Sequence, residues 1–243
     1  MTARCISVVR VIAAALALAA CAAQPPADDA GALGVPASVG ADPKINAGFY
    51  TADAALWGGR FEGESREIYR KRAEIVDASS ANTGMVVADV GAGTGLFTVL
   101  FAKRVGPAGK VYAVDISEPF VNAVAKRAAS EKLANVATLV STHTDTRLPP
   151  RSVDIVFTSD VYHHFEQVAP VLASIRQALK PGGRFIVLDF ERIPGVSPPS
   201  RLDHVRAGKE TVIEEVTASG FRLREEVKTL GLKDNYFLVF ERL

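Results

Sequence analysis

VADVGAGTG, residues 87–95, joins an apolar strand to a helix through a turn with glycine at every second position. Gly91, Gly93 and Gly95 let the backbone bend sharply and come close to a ligand where a Cβ would collide. The start of the following helix presents unpaired N–H groups, which suit a carboxylate. A dinucleotide fingerprint GxGxxG would place its third glycine at position 96, where this chain has Leu96. The next apolar run, KVYAVDI (110–116), carries Asp115, 24 residues after Gly91, where a carboxylate can accept from both hydroxyls of a ribose. By itself such an aspartate is read as a turn or cap residue, and Ser117 and Glu118 can cap the helix after it. Turn and carboxylate together, in this order, point to an adenosyl ligand.

Outward from that stretch the chain alternates strands and helices. MVVADV (85–90) leads to a helix over about 96–105, KVYAVDI to a helix over about 118–133, and VATLVS (136–141) and VDIVFTSD (153–160) are further strands. A helix over about 167–179 and the strand GRFIVLDF (183–190) follow. Short continuous apolar runs separated by helices predict a parallel sheet covered on both faces. After a helix at about 210–219 the rhythm breaks: FRLREEVKTL (221–230) and NYFLVFERL (235–243) are too close to pair other than antiparallel. Upstream, Phe61, Ile68, Tyr69, Ile75 and Val76 share one face of a helix expected over 60–79, which would pack on the main domain as a lid.

The strings VADVGAGTG, KVYAVDI, LPPRSVDIVFTSDVYHHF, ALKPGGRFIVLDF and HVRAGKETVIEEVTASGF, spread over about residues 60–240, resemble successive motifs of one bacterial subgroup of class I S-adenosylmethionine (SAM)-dependent methyltransferases. The resemblance implies an α/β fold, a three-layer Rossmann-like sheet of seven strands, mostly parallel with an antiparallel terminal strand, and S-adenosyl-L-methionine as cofactor. It further implies that Asp89, Gly91, Ala92, Gly93 and Gly95 line the methionine end, and that Asp115 and Ile116 hold the ribose and flank the adenine. Ser159, Asp160 and Val161 would face the sulfonium. Relatives carry an acidic residue shortly after the third strand for the adenine amino group; here the segment is Ser141-Thr142-His143-Thr144-Asp145, and Asp145, displaced by about one position, is the remaining carboxylate for that contact.

Methyl transfer from a sulfonium is an in-line displacement, so alignment and exclusion of water supply much of the acceleration, and a base is needed only for acceptors that carry a proton. The chemistry is expected beyond the carboxyl ends of the fourth and fifth strands, where Asp160, Tyr162, His163 and His164, then Asp189, Glu191 and Arg192, follow the strand ends. His163 or His164 would take a proton and Tyr162 would turn its ring face to the sulfonium, although the paired histidines also suit a helix cap and Tyr162 a packing role. Those histidines with Asp189 are a conceivable metal set, but with no HExxH pattern and no cysteine nearby the expectation is none. His204, Arg206 and Lys209 would clamp an anionic acceptor or form a solvated helix start, and Arg66 and Arg70 would reach the methionine carboxylate from the lid.

At the other end, MTARCISVVRVIAAALALAAC has a basic start (Arg4, Arg10) and an uncharged run from Val11 to Ala20 too short to cross a bilayer. Residues 1–20 therefore read as a signal peptide. Leu18-Ala19-Ala20-Cys21 resembles a bacterial lipobox, which implies cleavage before Cys21, its lipidation, and a protein held at the cell envelope facing the periplasm; an ordinary signal would give a soluble periplasmic or secreted form. Residues 21–45, rich in Ala, Pro, Gly and Asp, read as a flexible tether, and 46–243 as the globular domain. With Cys5 removed and Cys21 acylated, no thiol is left for a disulfide, metal site or covalent catalysis. Loss of the leader with its two arginines leaves 26 basic against 27 acidic side chains from the 28 and 27 of the whole chain, so nucleic acid is not an expected partner and a small-molecule acceptor is. A non-catalytic lipoprotein that uses the same pocket to hold an adenosyl ligand is the alternative function.

Overall fold

The computed structural model describes residues 39–243; the expected signal peptide, Cys21 and the tether as far as residue 38 lie outside the described residues. Seven strands form a single sheet in the order β3-β2-β1-β4-β5-β7-β6. They are β1 (Val86–Val90), β2 (Lys110–Asp115), β3 (Val136–Val140), β4 (Val153–Ser159), β5 (Leu179–Phe190), β6 (Phe221–Glu226) and β7 (Asn235–Arg242). β1 to β5 run parallel, and β7 is inserted antiparallel between β5 and β6, with Phe185 opposite Phe240 and Leu188 opposite Phe237. The expected fold class is the observed one.

Two-residue alternation sorts the strand side chains into two cores. Val87, Ile155, Phe157, Ile186 and Leu188 pack with Ile75 of α3 (Arg72–Ala78) and Phe101 and Val105 of α4 (Leu96–Val105). Ala88, Val156, Phe185 and Val187 pack on the other face with Leu172 and Ile175 of α6 (Val168–Ala178) and Val212 and Val216 of α8 (Lys209–Ala218). The helices start and stop where local chemistry says they should. α4 begins after Gly95 and ends at Gly106, both at positive φ, and α5 (Glu118–Ser130) begins at Ser117, whose hydroxyl accepts from the Phe120 N–H.

β5 starts at Leu179 rather than 183 and β6 stops at Glu226 rather than 230, and two larger differences lie upstream of β1 and bear on the site. The helix expected over 60–79 is three short ones: α1 (Ala54–Phe61), α2 (Glu67–Arg70) and α3, with Gly63 in the first break and Arg66 extended before α2. The physical cause is tertiary. Glu67 is buried, and its carboxylate accepts from the backbone N–H groups of Lys233, Asp234 and Asn235 at 2.7–2.9 Å, which ties α2 to the β6–β7 hairpin at the expense of a straight helix. Residues 39–45, assigned to the tether from the sequence, also pack on the domain. Ala41 is buried and donates to the Phe165 carbonyl at 2.9 Å, and Pro43–Ile45 is a 3₁₀ turn capped by Asp42, so 39–45 is a strap across the domain.

Candidate active site

Gly91 makes the first bend of the loop after β1 at φ 77°, and a Cβ there would lie 2.3 Å from Cγ2 of Val161. The loop after β1 and the loop after β4 therefore touch through a gap only glycine leaves. Gly95, at φ 83°, is the N-cap of α4 and brings no side chain of its own, while Asp89 from the end of β1 takes the Thr98 N–H in the first turn and leaves the N–H groups before it to an anion. Beside this turn lies a cavity of about 560 Å³, within the range of small-molecule sites. Asp89, Gly91, Ala92, Gly93, Asp115, Ile116, Ser159, Asp160, Val161, His163 and His164 all line it. Gly95 sits behind it as the helix cap.

Asp115 does two jobs at once. Its Oδ2 accepts from Gly93 N–H and its Oδ1 from Ser117 N–H, at 2.8 and 2.9 Å, with the Ile116 N–H as a third backbone donor, which fixes the glycine turn to the end of β2 and leaves the carboxylate acceptor capacity for a ligand on the cavity side. Burial pushes its pKa up, against the pull of those backbone donors. Asp89 accepts from the Thr98 hydroxyl at 2.6 Å, and burial raises it to about 7 despite that bond.

Residues 39–61 and the helices after them close the cavity. Phe49, Trp57, Phe61 and Phe120 form an aromatic wall with ring centroids 5.1–6.5 Å apart. Phe49 is tied down by its carbonyl, which accepts from the Ser117 hydroxyl. Arg66 pairs with Asp160, and Asn235 donates to the other oxygen of Asp160 at 2.6 Å. Asp160 sits in the left-handed region at φ 53°, a strained conformation for a non-glycine residue that this double anchoring holds in place. Burial raises its pKa, Arg66 opposes that, and Asp189 adds to it.

At the strand ends His163 is buried, with Nδ1 2.7 Å from Asp189 Oδ1, and Asp189 also accepts from the backbone N–H groups of His163 and Phe190. Burial works to lower the His163 pKa, but the Asp189 carboxylate outweighs it and the net direction is up. His164 lies with Nδ1 3.0 Å from the Asn46 side-chain oxygen, and burial together with the neighbouring histidines pushes it down to about 3. His204, at the end of α7 (Pro199–His204), brings its ring within 5.0 and 5.2 Å of the other two.

Several expected roles do not survive the geometry. Asp145 is exposed and turned away, accepting from Arg147 N–H and the Ser174 hydroxyl; Ser141, Thr142, His143 and Thr146 form the wall where its contact was expected. The short loop must cap itself, and its carboxylate is the best local acceptor. Tyr162 is fully buried in the core beside Phe165 and donates to Glu215 at 2.8 Å, because a phenol in that position needs an acceptor and finds one on α8. Arg206 is held by Glu215 and Lys209 by Glu191 and Glu226, so neither is a free clamp; Arg70 donates to the Glu64 carbonyl and stays outside the cavity. Asp189 is engaged by His163 and by two backbone N–H groups. The aromatic wall, the Asn46–Glu166–His143 rim and the approach of His204 to the histidine pair were not foreseen; Trp57 and Phe61, four apart, were the one visible hint of the wall.

A loop between β1 and α4, a carboxylate ending β2 and a cavity at the parallel-strand ends make a particular nucleotide-type site. Residues 88–187 match the family model for a methyltransferase domain. The cofactor of this domain class is S-adenosyl-L-methionine. The chain is 33% identical over 145 residues to nocamycin O-methyltransferase of Saccharothrix syringae, covering 59% of this chain and 50% of the relative. It is also 33% identical over 123 residues to the ubiquinone/menaquinone biosynthesis C-methyltransferase UbiE of Hydrogenovibrio crunogenus, covering 50% and 48%. The chain thus spans about half the length of these curated relatives. A SAM-dependent methyltransferase structure from Aquifex aeolicus shares the fold with a TM-score of 0.68 at 24% identity, over 79% of this chain and 100% of that one. The methyltransferase-domain segment runs from β1 into β5 and so contains the glycine turn, Asp115 and the histidine pair; the aromatic wall precedes it, apart from Phe120.

Proposed function

We propose that the protein moves a methyl group from SAM to a small or medium acceptor that docks beyond the ends of β4 and β5. The observation that carries this is the continuity of one cavity from Asp115 and the glycine turn to Ser159, Asp160 and the histidines. The residues present fit the cofactor: the Asp115 carboxylate lines the cavity with acceptor capacity left for a ribose hydroxyl, Gly95 brings no side chain to the start of α4, and the Ser159 hydroxyl is buried without a partner at the mouth of β4. When bound, SAM supplies an activated methyl on a positively charged sulfur. The chain's own part is to bind, align and dry the site. Asp115 and the turn grip the adenosyl end, the aromatic wall and the Arg66–Asp160 pair exclude water, and the strand-end histidines meet the acceptor, where a proton-bearing acceptor must give up its proton.

Calorimetry with SAM and with S-adenosylhomocysteine tests the reading, alongside detection of S-adenosylhomocysteine on incubation with acceptor panels. Asp115→Ala removes the ribose contact and two loop anchors and should weaken binding by at least about tenfold. No heat with either ligand, and an Asp115→Ala protein that behaves like the parent, sinks it; binding without turnover across the panels turns it into the ligand-binding alternative. On the leader alone we also place the protein at the cell envelope, anchored through Cys21, with loss of palmitate labelling in Cys21→Ser as the check.

A further inference from the structure

We propose that His163, His164 and His204 bind one divalent first-row transition-metal ion of the zinc or cobalt kind at the acceptor end of the cavity. The three residues come from two separate segments, the 3₁₀ turn after β4 and the end of α7, yet one ring nitrogen of each lies within 4.8 Å of the others. Three imidazoles with an open further position are an established way to hold such an ion, with nitrogens about 2.0–2.1 Å from the metal.

Ring packing alone would explain three neighbouring imidazoles. It does not explain how their other nitrogens are arranged. His163 Nδ1 is engaged by the buried Asp189 carboxylate at 2.7 Å, so Nε2 is the nitrogen left over, and it is buried with no hydrogen-bond partner in a residue only 2% exposed. A buried ring nitrogen without a partner costs free energy unless something completes it. His164 repeats the pattern, with Nδ1 engaged by the Asn46 side-chain oxygen at 3.0 Å and Nε2 left over. A carboxylate or amide behind each ligating imidazole is the arrangement that fixes a metal-binding tautomer and ring orientation. Asp189 serves this purpose from behind the ring, which is why it is not itself in the ligand set.

Tetrahedral ligands on such an ion stand about 3.4 Å apart, so the cluster must contract on binding. The member with room to shift is His204. It is the exposed one of the three, at the end of a six-residue helix, while His163 and His164 are held by their Nδ1 partners. A metal at this point would leave one position turned to the cavity that Ser159 and Asp160 also line.

The acceptor class follows from this and rests on the transfer reading above: a hydroxyl or thiol that can ligate the ion. On coordination the acceptor's O–H or S–H proton leaves to solvent. The resulting metal-bound anion donates an electron pair to the methyl carbon as the sulfonium S–CH₃ bond breaks, giving a methylated product and S-adenosylhomocysteine.

The test uses the purified protein, stripped with a chelator and titrated with Co²⁺, read by its visible d–d absorption. One equivalent giving the intense band of a four- or five-coordinate site is expected, with Zn²⁺ displacing it. His204→Ala and His163→Ala should each weaken Co²⁺ binding by at least tenfold, and Asp189→Asn by about 10–100-fold. SAM binding to His204→Ala, measured by calorimetry, should match the parent and shows that the variant is folded. Absence of the band, or a band indifferent to His163, His164 and His204, overturns the metal site whatever SAM does. A normal band with no SAM binding keeps the metal site and removes the transfer reading. A small thiol or catechol that fails to perturb the Co²⁺ band overturns the acceptor class.

Discussion

Gly91→Ala puts a methyl group into the contact on which the two site loops meet. At φ 77° an alanine pays the left-handed penalty of about 1–2 kcal/mol. Its Cβ would also stand 2.3 and 2.5 Å from the two methyl carbons of Val161, against a van der Waals optimum of about 3.5–4.0 Å, so one loop must retreat by more than about 1 Å. Overpacking of this kind costs about 1–3 kcal/mol, for a total of about 2–5 kcal/mol. Val161→Ala in the same chain removes both methyls but not the Cβ at 2.9 Å, and leaves the backbone penalty in place. The double variant should therefore recover about 1–2 kcal/mol relative to the additive expectation. Urea unfolding followed by circular dichroism on the four proteins of the cycle measures this, with SAM affinity as a second reading because Val161 lines the cavity. A Gly91→Ala protein within about 0.5 kcal/mol of the parent, or strict additivity with Val161→Ala, refutes the claim that these loops are packed to contact.

Asp89, raised to about 7 by burial, is largely protonated in the free protein below that pH, and a ligand ammonium beside it favours the ionised form. SAM binding should then expel a proton and strengthen as pH rises toward 7 before levelling off; calorimetry in buffers of different ionisation enthalpy reads the proton, and Asp89→Asn should flatten the profile. A flat profile in the parent rules out the contact. Tyr162→Phe should cost about 1 kcal/mol of stability and leave SAM affinity and turnover as they are, because Glu215 keeps both its bonds to Arg206. Lost turnover at unchanged stability would return Tyr162 to the reaction.

The elements that were legible were those set by short-range rules. The strand–glycine–helix unit at 87–105 announced itself because the bend, the missing Cβ and the apolar periods are local properties, and α4 runs from Leu96 to Val105 as read. Asp115 was legible for the same reason: its distance along the chain from Gly91 is imposed by one βαβ unit. The terminal hairpin was readable from the closeness of the segments 221–230 and 235–243, although β6 stops at Glu226 and leaves 227–234 as the connection. The lid was not. Glu67 reads as a solvated helix residue until the hairpin supplies three N–H groups for it, and no local pattern shows that.

By itself, then, the chain determined the strands of the sheet, the helices between them and the glycine turn with Asp115 beside it, since these depend on side-chain periodicity and backbone freedom within a few tens of residues. Tertiary structure decided which polar groups are spent and which are left over. Asp145 and Tyr162 were consumed by Ser174 and Glu215, Arg206 and Lys209 by carboxylates on α8 and on the segments that end β5 and β6, and His163 kept one nitrogen unpaired because Asp189 took the other. Hydrogen-bond partners are chosen by proximity in space, and proximity between residues 29 to 167 positions apart, such as Asp145 to Ser174 or Glu67 to Asp234, exists only after the sheet has closed.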